Sequence, residues 1–184
     1  MKINKNLPNH LTMLRLLLVP VYMVCMLVEF KHHIMIAGVI FVIASVTDFL
    51  DGNIARKYNL VSDFSKFADP VADKILVLTA VILFCESGRV TGWSTVIMVA
   101  REIMVASLRY MAVLKDRVLA ADIYGKIKTM LQMVALIMMH FENILAFLPV
   151  VATVIYYASV IFTVISGANY LIKNKDVINY GADN

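Results

Sequence analysis

The 184-residue chain has little cysteine, little proline and little charge. It contains two cysteines, four prolines, seven glycines and one tryptophan, and 16% of its residues are charged. Cys25 and Cys85 both lie in apolar runs, so we expect neither a disulfide framework nor a zinc site. No internal repeat or low-complexity tract interrupts the chain.

Apolar residues are what the chain has in excess. They make up 61% of it, against about 45–50% in a soluble domain, and the mean hydropathy is +0.80. This composition excludes a disordered chain, a fibre and a nucleic-acid-binding tail, and it disfavours a soluble globular domain. Six spans of about 20 residues would use roughly 120 positions, which leaves no room for a second soluble domain.

The apolar runs predict an all-α, polytopic membrane protein with six transmembrane helices and a short N-terminal juxtamembrane segment. Only helices or closed barrels satisfy backbone polar groups in lipid, and these runs lack the alternation of barrel strands. We predict one domain over residues 1–184. The expected spans are about 11–30, 34–50, 70–85, 92–114, 123–140 and 148–172.

The basic residues predict the orientation. Lys31 and Arg89 lie on one side, and Arg101 and Arg109 lie within the fourth run. The other 13 lie on the opposite side or at its helix ends: Lys2, Lys5, Arg15, Arg56, Lys57, Lys66, Lys74, Lys115, Arg117, Lys126, Lys128, Lys173 and Lys175. The positive-inside rule then places both termini and this side of the membrane in the cytoplasm. We expect the membrane to be the plasma membrane.

Four aspartates stand where a membrane protein should avoid charge. Asp48 and Asp51 end the second run, and Asp69 and Asp73 begin the third. Spacings of three and four place each pair on one helix face, and two consecutive helices with a short connection let the pairs converge. Four close carboxylates repel one another unless cations lie between them. Oxygen ligands favour Mg²⁺, with Mn²⁺ or Ca²⁺ as alternatives.

Residues beside the aspartates indicate what the metal would hold. Gly52 and Ala55 leave space for a ligand, and Arg56 supplies a fixed cation suited to phosphate. A diphosphate bound through two divalent ions and an arginine explains this set most simply. The alternative is that the aspartates are helix-end charges, solvated or paired with neighbouring lysines.

The same residues resemble the signature of the CDP-alcohol phosphotransferase family. That signature is D-x2-D-G-x2-A-R-x8-G-x3-D-x3-D, and the segment 48–73 matches it at every position except Ser65, where the family has glycine. The resemblance implies that this position lies close to the bound nucleotide. Because serine is small, we expect Ser65 to alter that contact slightly and the function to be retained. The resemblance extends over the six spans and nearly the whole length.

The resemblance implies a specific activity. The family transfers a phosphatidyl or similar group from a CDP-linked donor, such as CDP-diacylglycerol, to an alcohol and releases CMP. It implies that the four aspartates are metal ligands and that Asp73 is also the general base. It further implies donor contacts from Gly52, Ala55, Arg56 and Ser62, and a homodimer in the membrane.

Cations in the fourth and fifth runs suggest the acceptor. Arg101 and Arg109 lie inside an apolar run, where charge is costly and usually marks a site. In the fifth run a polar stripe is expected to face inward, formed by Gly125, Lys128, Thr129 and Gln132. We predict that Arg109 and Lys128, and more weakly Arg101 and Lys126, bind an acceptor phosphate. The alternative is an internal ion pair of Arg101 or Arg109 with Glu102.

Further segments resemble one branch of the family, the phosphatidylglycerophosphate synthases, which use sn-glycerol 3-phosphate. They are residues 6–15, 67–74, 101–102 and 125–129. The resemblance implies that Asn9 and Thr12 lie near the donor nucleotide; alternatively, they cap the first helix.

Other functions stay open at this point. The same chemistry could use another acceptor, such as inositol phosphate, serine or phosphatidylglycerol. An intramembrane prenyltransferase also uses aspartate pairs and Mg²⁺, but it needs more spans. A divalent-cation transporter predicts polar residues along several whole spans, whereas here they gather at one end.

Overall fold

Helices account for all the regular structure in the part of the chain that can be described. The computed structural model describes the backbone of residues 7–57, 63–114, 119 and 122–175, and the side chains of 12–47, 71–72, 74–114, 119 and 122–175. Within these ranges no strand occurs, so the all-α prediction is confirmed. The six helices are α1 Leu7–Leu27, α2 His33–Lys57, α3 Asp63–Glu86, α4 Gly92–Val113, α5 Ile123–His140 and α6 Leu148–Lys173.

The predicted bounds hold best in the second half of the chain. The bounds of α5 match the prediction, and those of α4 and α6 differ from it by one residue. In the first half, α2 continues seven residues beyond position 50, and α3 begins seven residues before position 70. Helical hydrogen bonds continue through polar residues that a boundary drawn from hydropathy leaves out. All four aspartates therefore belong to helices.

The membrane prediction is confirmed only in part. Among the described residues, one helix, Leu148–Lys173, is both long and apolar enough to cross a bilayer. Shorter apolar helical stretches cover Thr12–Leu27 and His33–Thr47. Six helices are thus confirmed, and six membrane crossings stay a prediction.

The chain forms two compact units, Met1–Ser87 and Gly88–Asn184. In the first unit, α1 packs against α2 and α3, and α2 packs against α3. The rings of Tyr22 and Phe41 are fully buried, with their centroids 5.9 Å apart. Ala37 and Ala44 are also fully buried. Side chains this small allow helices to approach closely.

In the second unit, α6 packs against both α4 and α5. The buried face of α6 is rich in hydroxyl groups, and its exposed face is aliphatic. The buried face includes Tyr156, Ser159, Thr163, Ser166 and Tyr170, whereas the exposed face includes Val150, Val154, Ile161 and Ile172. This polarity is the reverse of that of a surface helix in a soluble protein.

Arg89 joins two loops at one end of the second unit. Its Nε donates to Glu142 Oε2 at 2.7 Å, and its Nη2 donates to the carbonyl of Pro149 at 2.9 Å. Its Nη1 donates to Thr153 Oγ1 at 3.0 Å. Arg89 therefore ties the residues before α4 to the loop after α5 and to the first turns of α6.

Candidate active site

The four aspartates lie at similar distances from the facing ends of α2 and α3, namely the end of α2 and the start of α3. Asp51 lies six residues before the end of α2 at Lys57, and Asp69 lies six residues after the start of α3 at Asp63. At 1.5 Å per residue, each is about 9 Å from its helix end. Asp48 and Asp73 lie nine and ten residues from those ends, or about 14–15 Å.

The short connection between the two helices allows these distances from the helix ends to be compared. Five residues separate Lys57 from Asp63, and they span at most about 21 Å even when extended. A 24-residue helix such as α3 is about 36 Å long. Since α2 and α3 pack together, they must run antiparallel, and the two aspartate pairs lie toward the same end.

This backbone register fits the metal site that the carboxylates predict. The side chains of Asp48, Asp51, Asp69 and Asp73 lie outside the described part of the structure, so their coordination stays a prediction. Among the side chains that are described, no group of three or more histidine, cysteine, aspartate or glutamate residues is placed to hold a metal. The register and the all-oxygen donor set are what support a hard divalent cation here.

The predicted donor contacts lie on the same helices or on α1. Gly52, Ala55 and Arg56 belong to the last turns of α2, whereas Ser62 precedes α3 and lies outside the described residues, as does the side chain of Ser65. Thr12 is fully buried and lies well inside α1, which begins at Leu7. Asn9 also belongs to α1, so its position and that of Thr12 do not suit a helix cap.

A buried ionic cluster forms in the second unit. Glu102 Oε1 accepts hydrogen bonds from Arg101 Nη1 at 2.9 Å and from Lys128 Nζ at 2.5 Å. The exposed fractions of the three side chains are 11% for Arg101, 12% for Glu102 and 3% for Lys128. Two cations therefore share one carboxylate in this cluster.

The cluster extends to α6 through Ser166. Arg101 Nη2 donates to Ser166 Oγ at 2.6 Å, and Ser166 is fully buried. Gly125 makes this contact possible, because a Cβ atom there would lie 2.9 Å from Arg101 Nη2 and 3.3 Å from Ser166 Oγ. The sequence did not indicate either Ser166 or the close approach at Gly125.

The other two predicted acceptor cations are placed differently. Arg109 is exposed; its Nε donates to the Tyr170 hydroxyl at 3.3 Å, and its guanidinium lies 5.9 Å from the centre of that ring. Lys126 is exposed as well. Glu102 therefore pairs with Arg101, as the alternative allowed, and also with Lys128, which the sequence did not indicate.

The predicted polar stripe on α5 is partly confirmed. Lys128 and Gln132 are buried, at 2% and 1% exposure. Thr129, however, is exposed, and its hydroxyl donates to the carbonyl of Gly125 at 2.9 Å. The inward face of α5 is therefore narrower than predicted. Arg15 on α1 is also fully buried, although the sequence suggested only an interfacial cation.

Comparisons with known proteins agree with the signature. A family model for CDP-alcohol phosphatidyltransferases matches residues 5–165. The chain belongs to the CDP-alcohol phosphatidyltransferase family, and the resemblance noted in the sequence is confirmed.

Individual relatives narrow the comparison. The chain is 36% identical to the CDP-diacylglycerol–glycerol-3-phosphate 3-phosphatidyltransferase of Bacillus subtilis, covering 94% of this chain and 97% of the relative. It is 38% identical to the enzyme of the same name from Rickettsia bellii, with 92% and 96% covered. It is also 38% identical to a probable phosphatidylglycerophosphate synthase of Mycobacterium tuberculosis, with 91% and 81% covered.

The Glu102–Lys128 pair predicts a coupling that stability measurements can detect. Glu102→Gln should lower the apparent Tm in detergent by several degrees, because it leaves two buried cations without their shared carboxylate. The same change should cost less in a Lys128→Met background, with a coupling energy of about 1–3 kcal/mol. The exposed Lys126→Met is the control and should change Tm little. Additive Tm shifts in the double variant would contradict the pairing.

Proposed function

We propose that this protein transfers the phosphatidyl group of CDP-diacylglycerol to sn-glycerol 3-phosphate, forming phosphatidylglycerophosphate and CMP. Similarity to relatives of that name extends over nearly the full length of both chains. The observation in the structure that carries the proposal is the matched register of the two aspartate pairs on α2 and α3. It is what a site for a charged diphosphate donor requires.

The reaction exchanges one phosphorus–oxygen bond for another. The acceptor hydroxyl attacks the phosphatidyl phosphorus, the bond from that phosphorus to the bridging oxygen breaks, and CMP leaves with that oxygen. The hydroxyl proton must go to a base, and we assign this role to Asp73. Asp73 lies one turn further into α3 than Asp69, so it can contact both the metal region and the entering alcohol.

We assign Asp48, Asp51, Asp69 and Asp73 as ligands of divalent cations. Mg²⁺ is the preferred ion, Mn²⁺ is the alternative, and two ions suit a diphosphate. When bound, such ions neutralise charge on the diphosphate and the leaving group. Gly52, Ala55, Arg56 and Ser62, with Asn9 and Thr12 on α1, are proposed as donor contacts.

The acceptor phosphate is assigned to the buried cluster of the second unit. Arg101 and Lys128 are already oriented by Glu102 and Ser166, and a guanidinium beside an ammonium suits a phosphate. A guanidinium and an ammonium held in place lose little conformational entropy when they bind a phosphate. Arg109 and Lys126 are exposed, and we propose that they attract the acceptor from solution.

We also propose that the protein lies in the plasma membrane with both termini and the active site on the cytoplasmic side. The support is the aliphatic exposed face of α6 and its hydroxyl-rich buried face, since lipid is the solvent that favours this arrangement. The distribution of basic residues supports the orientation. The homodimer implied by the family resemblance stays a prediction.

The proposed reaction predicts acceptor-dependent release of CMP. Purified protein in detergent with CDP-diacylglycerol and Mg²⁺ should release CMP when sn-glycerol 3-phosphate is added. Serine and inositol should give far less because they carry no phosphate for the cationic cluster, and inositol phosphate and phosphatidylglycerol should give far less because they are larger than glycerol 3-phosphate. Omission of the acceptor is the control. A higher rate with any other acceptor would reassign the substrate within the same chemistry.

The base assignment predicts a separation of binding from turnover. Asp73→Asn keeps the shape and one metal-binding oxygen but removes the proton acceptor. It should abolish turnover while CDP-diacylglycerol still binds in Mg²⁺, whereas Asp48→Asn or Asp51→Asn should weaken donor binding too. Glu86→Gln, an exposed carboxyl on the same helix as Asp73, is the control. Because general bases contribute about 10²–10⁴-fold, more than about a tenth of wild-type turnover in Asp73→Asn would exclude this role.

The acceptor assignment predicts a change in one Michaelis constant only. Lys128→Met should raise the KM for glycerol 3-phosphate by about tenfold to hundredfold, as expected for a lost charge-assisted hydrogen bond. Donor affinity should stay nearly unchanged. Lys126→Met should have a smaller effect, and Lys175→Met, which removes an exposed cation, should have none. An unchanged acceptor KM in both Lys128→Met and Arg101→Met would contradict the assignment of the acceptor phosphate to these two residues.

A further inference from the structure

A buried amide lies next to the ionic cluster and takes no part in it. Gln132 is 1% exposed, and neither its Oε1 nor its Nε2 has a hydrogen-bond partner among the described residues. It lies one helical turn beyond Lys128 on the buried face of α5. Arg101 Nε, in the same cluster as Lys128, is likewise buried without a partner.

Two unpaired polar groups on one buried side chain carry a free-energy cost. Methionine or leucine fills a similar volume in a helix without this cost. Packing of α5 against α6 therefore does not explain why the position holds glutamine. A ligand that completes both hydrogen bonds does explain it.

The chemistry of the amide limits what that ligand can be. A phosphate offers only acceptors, so it can use Nε2 and leaves Oε1 unpaired. A hydroxyl group donates to Oε1 and accepts from Nε2, and so it satisfies both atoms. Lys128 and Gln132 are four residues apart, about 6 Å along the helix axis. This separation suits a small molecule with a phosphate at one point and a hydroxyl a few bonds away.

We propose that Gln132 binds the secondary hydroxyl of the acceptor and makes this protein selective for a hydroxylated three-carbon phosphate. The inference rests on the proposed function, because it takes the phosphate of the acceptor to be held by Lys128 and Arg101. When the primary hydroxyl attacks the donor, the secondary hydroxyl keeps its proton and stays available to the amide. Gln132 then acts on specificity, and Asp73 acts on the reacting hydroxyl.

The test compares two acceptors that differ only in that hydroxyl. CMP release from CDP-diacylglycerol is measured with sn-glycerol 3-phosphate and with 3-hydroxypropyl phosphate, which lacks the secondary hydroxyl. In the wild-type protein, kcat/KM should favour glycerol 3-phosphate by about tenfold to hundredfold, because the analogue leaves the amide unpaired. In Gln132→Met the preference should fall to within about threefold, mainly through a lower kcat/KM for glycerol 3-phosphate.

Two further measurements separate binding from structure. Thr129→Val, an exposed change on the same helix, should keep the wild-type preference. The apparent Tm of Gln132→Met should equal or exceed that of the wild-type protein, since an unpaired buried amide is removed; a Gln132 with a structural partner would give a lower Tm.

The outcomes distinguish this inference from the proposed function. Turnover of glycerol 3-phosphate with an undiminished preference in Gln132→Met would overturn the role of Gln132 alone. So would a Tm several degrees below that of the wild-type protein. A wild-type protein that releases no CMP with glycerol 3-phosphate would overturn the proposed function, and this inference with it.

Discussion

The carboxylate of Glu102 joins three helices of the second unit. It accepts hydrogen bonds from Arg101 on α4 and Lys128 on α5, and Arg101 in turn reaches Ser166 on α6. Removing such charges from water costs several kcal/mol per ion, and well-packed apolar residues often stabilise a fold as well or better. Stability alone is therefore a weak reason for this cluster. The cluster also orients two cations, Arg101 and Lys128, and this orientation is a reason that concerns an anionic ligand.

The two units contribute different chemistry to the proposed reaction. Acidic positions on α2 and α3 suit a metal-bound diphosphate, and the cationic cluster among α4, α5 and α6 suits an anionic acceptor.

Much of the fold could be predicted from the sequence, because long apolar runs determine where helices must be. The α5 bounds were predicted to the residue, and α6 differed by one. The ends of α2 and α3 could not be predicted this way, because helical hydrogen bonding continues into the polar signature. The signature likewise indicated which residues are candidates for the site. It could not predict the contacts between helices, because these depend on side-chain packing that one sequence does not reveal. The sequence offered Arg101 or Arg109 as the partner of Glu102, for example, but it did not indicate Lys128 on another helix.

The hydroxyl groups of α6 have a consequence for how such a helix enters a bilayer. Ser159 Oγ donates to the carbonyl of Tyr156, and Thr163 Oγ1 donates to the carbonyl of Ser159. These bonds lie within α6 itself, so neither hydroxyl needs a neighbouring helix for its proton. Ser166 differs, because its oxygen accepts from Arg101 on α4. In the proposed membrane setting, the hydroxyls of Ser159 and Thr163 are satisfied as soon as α6 is helical, whereas the bond from Arg101 to Ser166 forms only when α6 packs against α4.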